Sequence, residues 1–197
     1  MIVRQEYKRT QAYTPAVRSA VFSALLIASI ASSGCLVLSL QPAYDTKSVA
    51  YDEALIGQWE NADDQTSATI EQAQWRSYKI TYTDRFTTRT FQGNLTKVGT
   101  GRYLDLTEVR GTDFGPYLVP VHGLFRVTLD GDTLAAADLD YEWWTAALKA
   151  KTLGRLGVSI DDRRNVVVSS TTSELRQWLQ RSPASAFGAA MTFTRKR

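Results

Sequence analysis

GLFRVTLDGDTLAAADLD, residues 123–140, decides how the chain folds. Phe125, Val127 and Leu129 alternate with polar neighbours, the period of a strand with one buried and one wet face. Asp130-Gly131-Asp132 supplies a tight hairpin turn, and TLAAADLD reads as the returning strand.

The same pattern extends outward on both sides. SYKITYTD puts Tyr78, Ile80 and Tyr82 on one face and Lys79, Thr81 and Thr83 on the other. YLDLTEV alternates at Leu104 and Leu106. LIGQWE, TSATIEQAQW, TRTFQGNLTKV, NVVVSS and MTFT bring the count to roughly eight to nine strands. Two helices interrupt them. The first follows Asp140 through YEWWTAALKAK, with Tyr141, Trp144 and Leu148 on one side and Gly154 and Gly157 flanking its exit. The second opens with a capping box, Thr171 and Glu174. It carries an apolar stripe of Leu175, Trp178 and Leu179 and is stopped before Pro183. The expected fold is therefore mainly β with two peripheral helices (α+β), an antiparallel meander forming a sandwich or barrel.

Gly57-Gln58-Trp59 stands at the start of the first expected strand. It resembles the Gly-x-Trp signature of lipocalin-like barrels, which implies a barrel or half-barrel with the Trp packed across its closed end. Trp143, Trp144 and Trp178, with Gln58, Tyr78 and Tyr82, either line a ligand cavity or fill the core and fix the helices over it.

Charge is unevenly placed. The chain has 23 basic and 20 acidic residues, a net charge of +3. The leader, residues 1–34, holds Arg4, Lys8, Arg9 and Arg18 against Glu6, so the whole excess lies there and the rest is balanced. A neutral domain lacks the cationic surface that phosphate binding needs, so no nucleic-acid partner is expected.

After the basic start, Ala20 to Ile30 is almost purely apolar, and Ala31, Ser32, Ser33 and Gly34 lead to Cys35, the single cysteine. Basic, apolar and small-residue segments in that order form a secretory signal. Ser33-Gly34-Cys35 resembles the end of the bacterial lipoprotein lipobox, with Ser32 where a branched apolar residue is usual. The resemblance implies cleavage before Cys35, a diacylglycerol on its sulfur and an acyl chain, such as palmitate, on the new amino terminus. It implies no other cofactor. Two or more chains anchor stably, at about 0.8 kcal/mol per buried methylene. Leu36 rather than Asp after the cysteine implies the outer membrane, with the domain facing the periplasm or the exterior. Two other readings stand. Residues 20–40 are uncharged and long enough for an uncleaved signal anchor, at roughly 20 residues per crossing. Alternatively an ordinary signal peptidase removes the leader and Cys35 is incidental.

The expected organisation is a signal peptide (1–34), a lipidated amino terminus and tether (35–53) and one β-rich domain (54–197). The mature chain resembles bacterial lipoproteins built as a single β-rich domain, a resemblance that implies no activity.

Catalytic chemistry is sparse. Asp63-Asp64, Asp161-Asp162, Asp130/Asp132 and Asp138/Asp140 are neighbouring carboxylates, which read as turn residues or caps rather than as pairs converging on a substrate. Gly99 and Gly101 lack the context of a phosphate loop and read as a turn. His122 is the only histidine; it reads as structural or surface-exposed, with no evident nucleophile beside it. One cysteine and one histidine do not make an ordinary zinc site. The expected role is non-catalytic: a binding module for a small apolar ligand, or an assembly lipoprotein for another envelope protein.

Overall fold

The computed structural model describes residues 36–109 and 119–196, which belong to one compact unit, Cys35–Arg197. In chain order come β1 (Val37–Ser39), β2 (Val49–Ala50), β3 (Gly57–Asn61), β4 (Thr66–Gln72), β5 (Ser77–Thr83), β6 (Thr88–Val98), β7 (Gly101–Glu108), β8 (His122–Asp130) and β9 (Thr133–Asp138). Then follow α1 (Tyr141–Lys149), β10 (Val158–Ile160), β11 (Val166–Val168), α2 (Thr172–Leu179) and β12 (Met191–Arg195).

β3 to β9 pair antiparallel in sequence order, and β12 bridges β3 and β9. That closes eight strands into a barrel, compatible with the lipocalin-like architecture. All eight are among the strands expected from the sequence, β5, β7 and β8 by their alternation. Closure removes the sheet edges that would otherwise leave backbone groups unpaired. β8 forks: Phe125–Asp130 pair with β9, whereas His122 pairs with Ser39 of β1. β1 runs parallel to β11, and β10 forms the outer edge of this flap.

The pleat sorts side chains into two cores. Trp59, Ile70, Tyr78, Ile80, Leu95, Leu104, Val127, Leu134 and Phe193 fill the barrel. On the outer wall, Val98, Tyr103, Leu124 and Ala137 meet Trp144, Ala147, Leu175, Trp178 and Leu179 of the helices. The helices therefore seal a second core. Asp140 caps α1 by accepting from the Trp143 N–H at 2.6 Å. Thr171 and Glu174 form the expected capping box of α2.

One expectation is corrected. Residues 41–53 are not a loose tether. Ala43 is buried, and β2 continues along β6 where β5 has ended. Arg176 donates to the Ala43 carbonyl (2.8 Å) and Thr96 Oγ1 donates to the Ser48 carbonyl (3.1 Å). Strands this short carry no readable period, and their bonds come from distant side chains. β10 escaped notice for the same reason.

Candidate functional site

The closed end of the barrel is built on the Gly-x-Trp stretch. Trp59 is 1% exposed, and its Nε1–H donates to the Leu55 carbonyl at 2.9 Å. From the last strand, Arg195 lays its guanidinium 4.2 Å from the Trp59 ring centroid. Arg195 also donates to the carbonyls of Ile56 (2.7 Å) and Ala54 (2.6 Å) and pairs with Asp132 at 3.3 Å. Gly57 has φ +147°, and any Cβ there would collide with Arg195 Nη1. Gly57 thus leaves the room in which the Arg195 guanidinium lies over the Trp59 indole. The sequence shows the Gly and the Trp but does not single out Arg195, whose neighbours in TRKR are also basic.

Beside this end, Tyr78 is fully buried; its hydroxyl accepts from the Asp52 N–H (2.7 Å) and donates to the Asp52 carbonyl (3.2 Å). Burial pushes the Tyr78 phenol above its ordinary pKa. The Asp52 carboxyl is partly desolvated, yet the Ala54 N–H and the Arg102 guanidinium, 2.5 Å away, hold it below the usual range.

Above the sealed end the interior is occupied. A Cβ on Gly93 would lie 2.8 Å from Ile80 Cδ1 and 3.2 Å from Leu106 Cδ2. Of the sequence candidates for a ligand cavity, Tyr78 belongs to this packed interior, Tyr82 is half-buried against it, and Gln58 is exposed. Trp143, Trp144 and Trp178 contact one another with centroids 4.6 to 6.1 Å apart, outside the barrel. They fix the helices, as the second of the two readings held.

His122 does have a partner, Asp105, on the outer wall. The Nδ1–H donates to Asp105 Oδ1 at 2.6 Å, and Thr107 Oγ1 stands 3.3 Å from the same nitrogen. The other Asp105 oxygen accepts from the Ala43 N–H at 2.7 Å. The Asp105 side chain is 1% exposed and that of His122 9%. Burial, and next the charge of Asp105, raise the pKa of the Tyr44 phenol. An Asp orienting an imidazole is how a general base is held. Thr107 shares the nitrogen that faces Asp105, and Ser39, the cross-strand partner of His122, is committed to its own turn, donating to the Gln41 carbonyl at 2.6 Å. The dyad therefore clamps the segment after β1 to the wall. The one sequence cue for Asp105 is a carboxylate inside a strand, where Asp is disfavoured.

The neighbouring carboxylates mostly serve turns. Asp64 pairs with Asn61 across the β3–β4 turn, and Asp161 accepts from Arg163 and Asn165 within its loop. Gly131, at φ +54°, turns the β8–β9 hairpin, and Gly99, at φ +59°, the β6–β7 hairpin. Asp138 differs. Its Oδ1 lies over Gly188, near Asp140. Burial, and then the Asp140 charge, raise its pKa. The sign follows: with a folded pKa above the unfolded one, Asp138 costs stability as pH rises through that interval. Asp138→Asn is expected to leave acid stability unchanged and to raise stability above that interval. The gain, up to about 0.5 kcal/mol because solvent reaches the carboxyl, is readable as urea midpoints at pH 3 and pH 7.

Two clefts lie on the outside. One, of about 420 Å³, runs between α1 and the β10–β11 loop and includes Tyr141, Leu148, Ile160 and Arg164. The other, of about 310 Å³, lies along β5 and β6 beneath Trp75, with Asn94 in its wall. Among the described residues no cluster of three His, Cys, Asp or Glu side chains is arranged to hold a metal, and no helix is long and apolar enough to cross a membrane. Cys35 and the leader lie outside the described residues. Compared with protein-family models, curated proteins and solved structures, the chain finds no match.

Proposed function

We propose that the chain is a lipid-anchored bacterial cell-envelope lipoprotein, and that its barrel is a non-catalytic module binding another envelope component by its outer surface. The tight packing around Gly93 supports the second half of this reading: where the interior is filled, the barrel offers its walls and rims rather than a container. Ser33-Gly34-Cys35, after a basic and apolar leader, carries the first half. Its predicted destination is the outer membrane, and the lipid on Cys35 is its membrane contact.

The early start of the fold is consistent with this. β1 begins at Val37, close behind Cys35. The Asp105 clamp on Ala43 fastens the following residues to the barrel wall. A lipid on Cys35 then holds the domain at the bilayer surface with little slack. A second reading, a small apolar ligand at the open mouth, draws on Tyr82, Phe91, Leu106, Phe125 and Met191, which are only partly buried at the end opposite Trp59.

Metabolic labelling with radioactive palmitate tests the anchor. Wild type is expected to take up label and Cys35→Ser to take up none. An unlabelled wild type, or a variant that labels equally, overturns the lipoprotein reading.

A further inference from the structure

We infer that the groove beside Trp75 is a binding site for a neutral glycan bearing acetamido groups. This deepens the surface-binding reading and rests on it.

Two features of the groove bear on what it could bind. Trp75, at the tip of the β4–β5 hairpin, is 92% exposed. Trp75 and Arg76 both adopt left-handed backbone, at φ +56° and +60°. The pair forms a type I′ turn, closed by the Ser77 N–H to the Gln74 carbonyl, the geometry that suits the twist of a hairpin. The turn is locked in that form by the Ala73 N–H to the Ser77 carbonyl (2.9 Å) and by the Ser77 hydroxyl to the Gln74 carbonyl. The turn thus holds an exposed indole at the rim of the groove, where a bound molecule can stack on it.

The second feature is Asn94, which is 7% exposed. Its side-chain amide has no hydrogen-bond partner among the described residues, and it faces the groove. Its cross-strand neighbours are Ser77 and Asp105, whose side chains are bonded elsewhere. Neither amide atom is sealed from solvent, so water in the groove serves both, and a ligand there takes that water's place.

The chemistry of the wall selects the ligand. An amide donates and accepts together, and Gln74 and Gln92 add two more amides. The one cation in the lining, Lys79, is paired with Glu71 at 3.1 Å, so the groove does not call for an anion. β5 is flanked by β4 and β6, and β6 by β5 and β7, so no free strand edge invites a peptide. An acetamido group matches the Asn94 amide at two points, N–H to C=O and C=O to N–H, while the C–H face of a sugar ring stacks on the indole. The volume, about 310 Å³, falls at the small end of ligand clefts.

The test is calorimetric titration of the full-length chain in detergent micelles with a tetramer of N-acetylglucosamine, against a glucose tetramer of the same length. Saturable binding of the acetamido tetramer is expected, with the glucose tetramer at least about tenfold weaker, a difference of roughly 1.4 kcal/mol. Trp75→Ala and Asn94→Ala are each expected to weaken binding about tenfold or more. Phe86→Ala removes an equally exposed aromatic at the opposite end of the barrel and is expected to change nothing. The exposed position of Trp75 keeps that variant folded even if Asn94→Ala misfolds. No saturable heat, equal affinity for the two tetramers, wild-type affinity in Trp75→Ala, or loss of binding in Phe86→Ala each overturns the assignment. Palmitate labelling of the same preparation reports separately on the anchor.

Discussion

Trp59→Ala is expected to remove about 3–5 kcal/mol of stability, the cost of deleting a fully buried tryptophan. The side chain closes one end of the barrel, is 1% exposed and holds the Leu55 carbonyl through Nε1. Its loss also strips Arg195 of the ring beneath it and leaves the guanidinium held by carbonyls and Asp132. A domain of ordinary stability has about 5–15 kcal/mol in all, so the variant sits near its unfolding threshold. Urea denaturation followed by far-ultraviolet circular dichroism measures the shift. Trp59→Phe keeps most of the buried area and loses the indole bond, and is expected to cost far less, around 1 kcal/mol. An alanine variant within about 1 kcal/mol of wild type contradicts the packing described.

Asp105→Ala is the second large effect. It strands two buried donors at once, the Ala43 N–H and the His122 Nδ1–H. Each unsatisfied group costs about 1–3 kcal/mol, so a loss of about 2–4 kcal/mol is expected. A local readout separates the clamp from general destabilisation. Amide hydrogen exchange at Ala43 and its neighbours is expected to accelerate well beyond that of β3 and β4 on the far side of the barrel. Asp105→Asn retains a carbonyl oxygen for the Ala43 N–H and is expected to recover part of the protection. Unchanged exchange at Ala43 in Asp105→Ala contradicts the clamp. If the anchor at Cys35 is as proposed, losing the clamp also lengthens the slack between bilayer and barrel.

Both predictions centre on residues the sequence presents unequally. Trp59 stands out as part of Gly57-Gln58-Trp59, yet its partner Arg195 lies in the last strand and looks like any basic residue of a charged terminus. His122 stands out as the single histidine, yet Asp105 is one of many carboxylates. The adjacent pairs Asp63-Asp64 and Asp161-Asp162 are legible as turn residues because an Asx turn is made by the chain next to itself. Trp75 and Asn94 gave no signal: exposure of an indole and the absence of a partner are properties of the folded surface.

Strand character is local to each stretch, by period-two alternation in β5, β7 and β8 and by short runs between turn residues in the others, so all eight barrel strands and the turn between β8 and β9 were readable before any pairing was known. The helix caps at Asp140 and Thr171 and the confinement of excess charge to residues 1–34 are local or additive properties and were equally readable. The tertiary structure decided the rest. Closure through β12 between β3 and β9, the packing of residues 37–50 on the wall, the Asp105–His122 clamp and the Arg195–Trp59 stack all depend on register. Register is set by the simultaneous fit of every strand around the barrel, and no short stretch contains it.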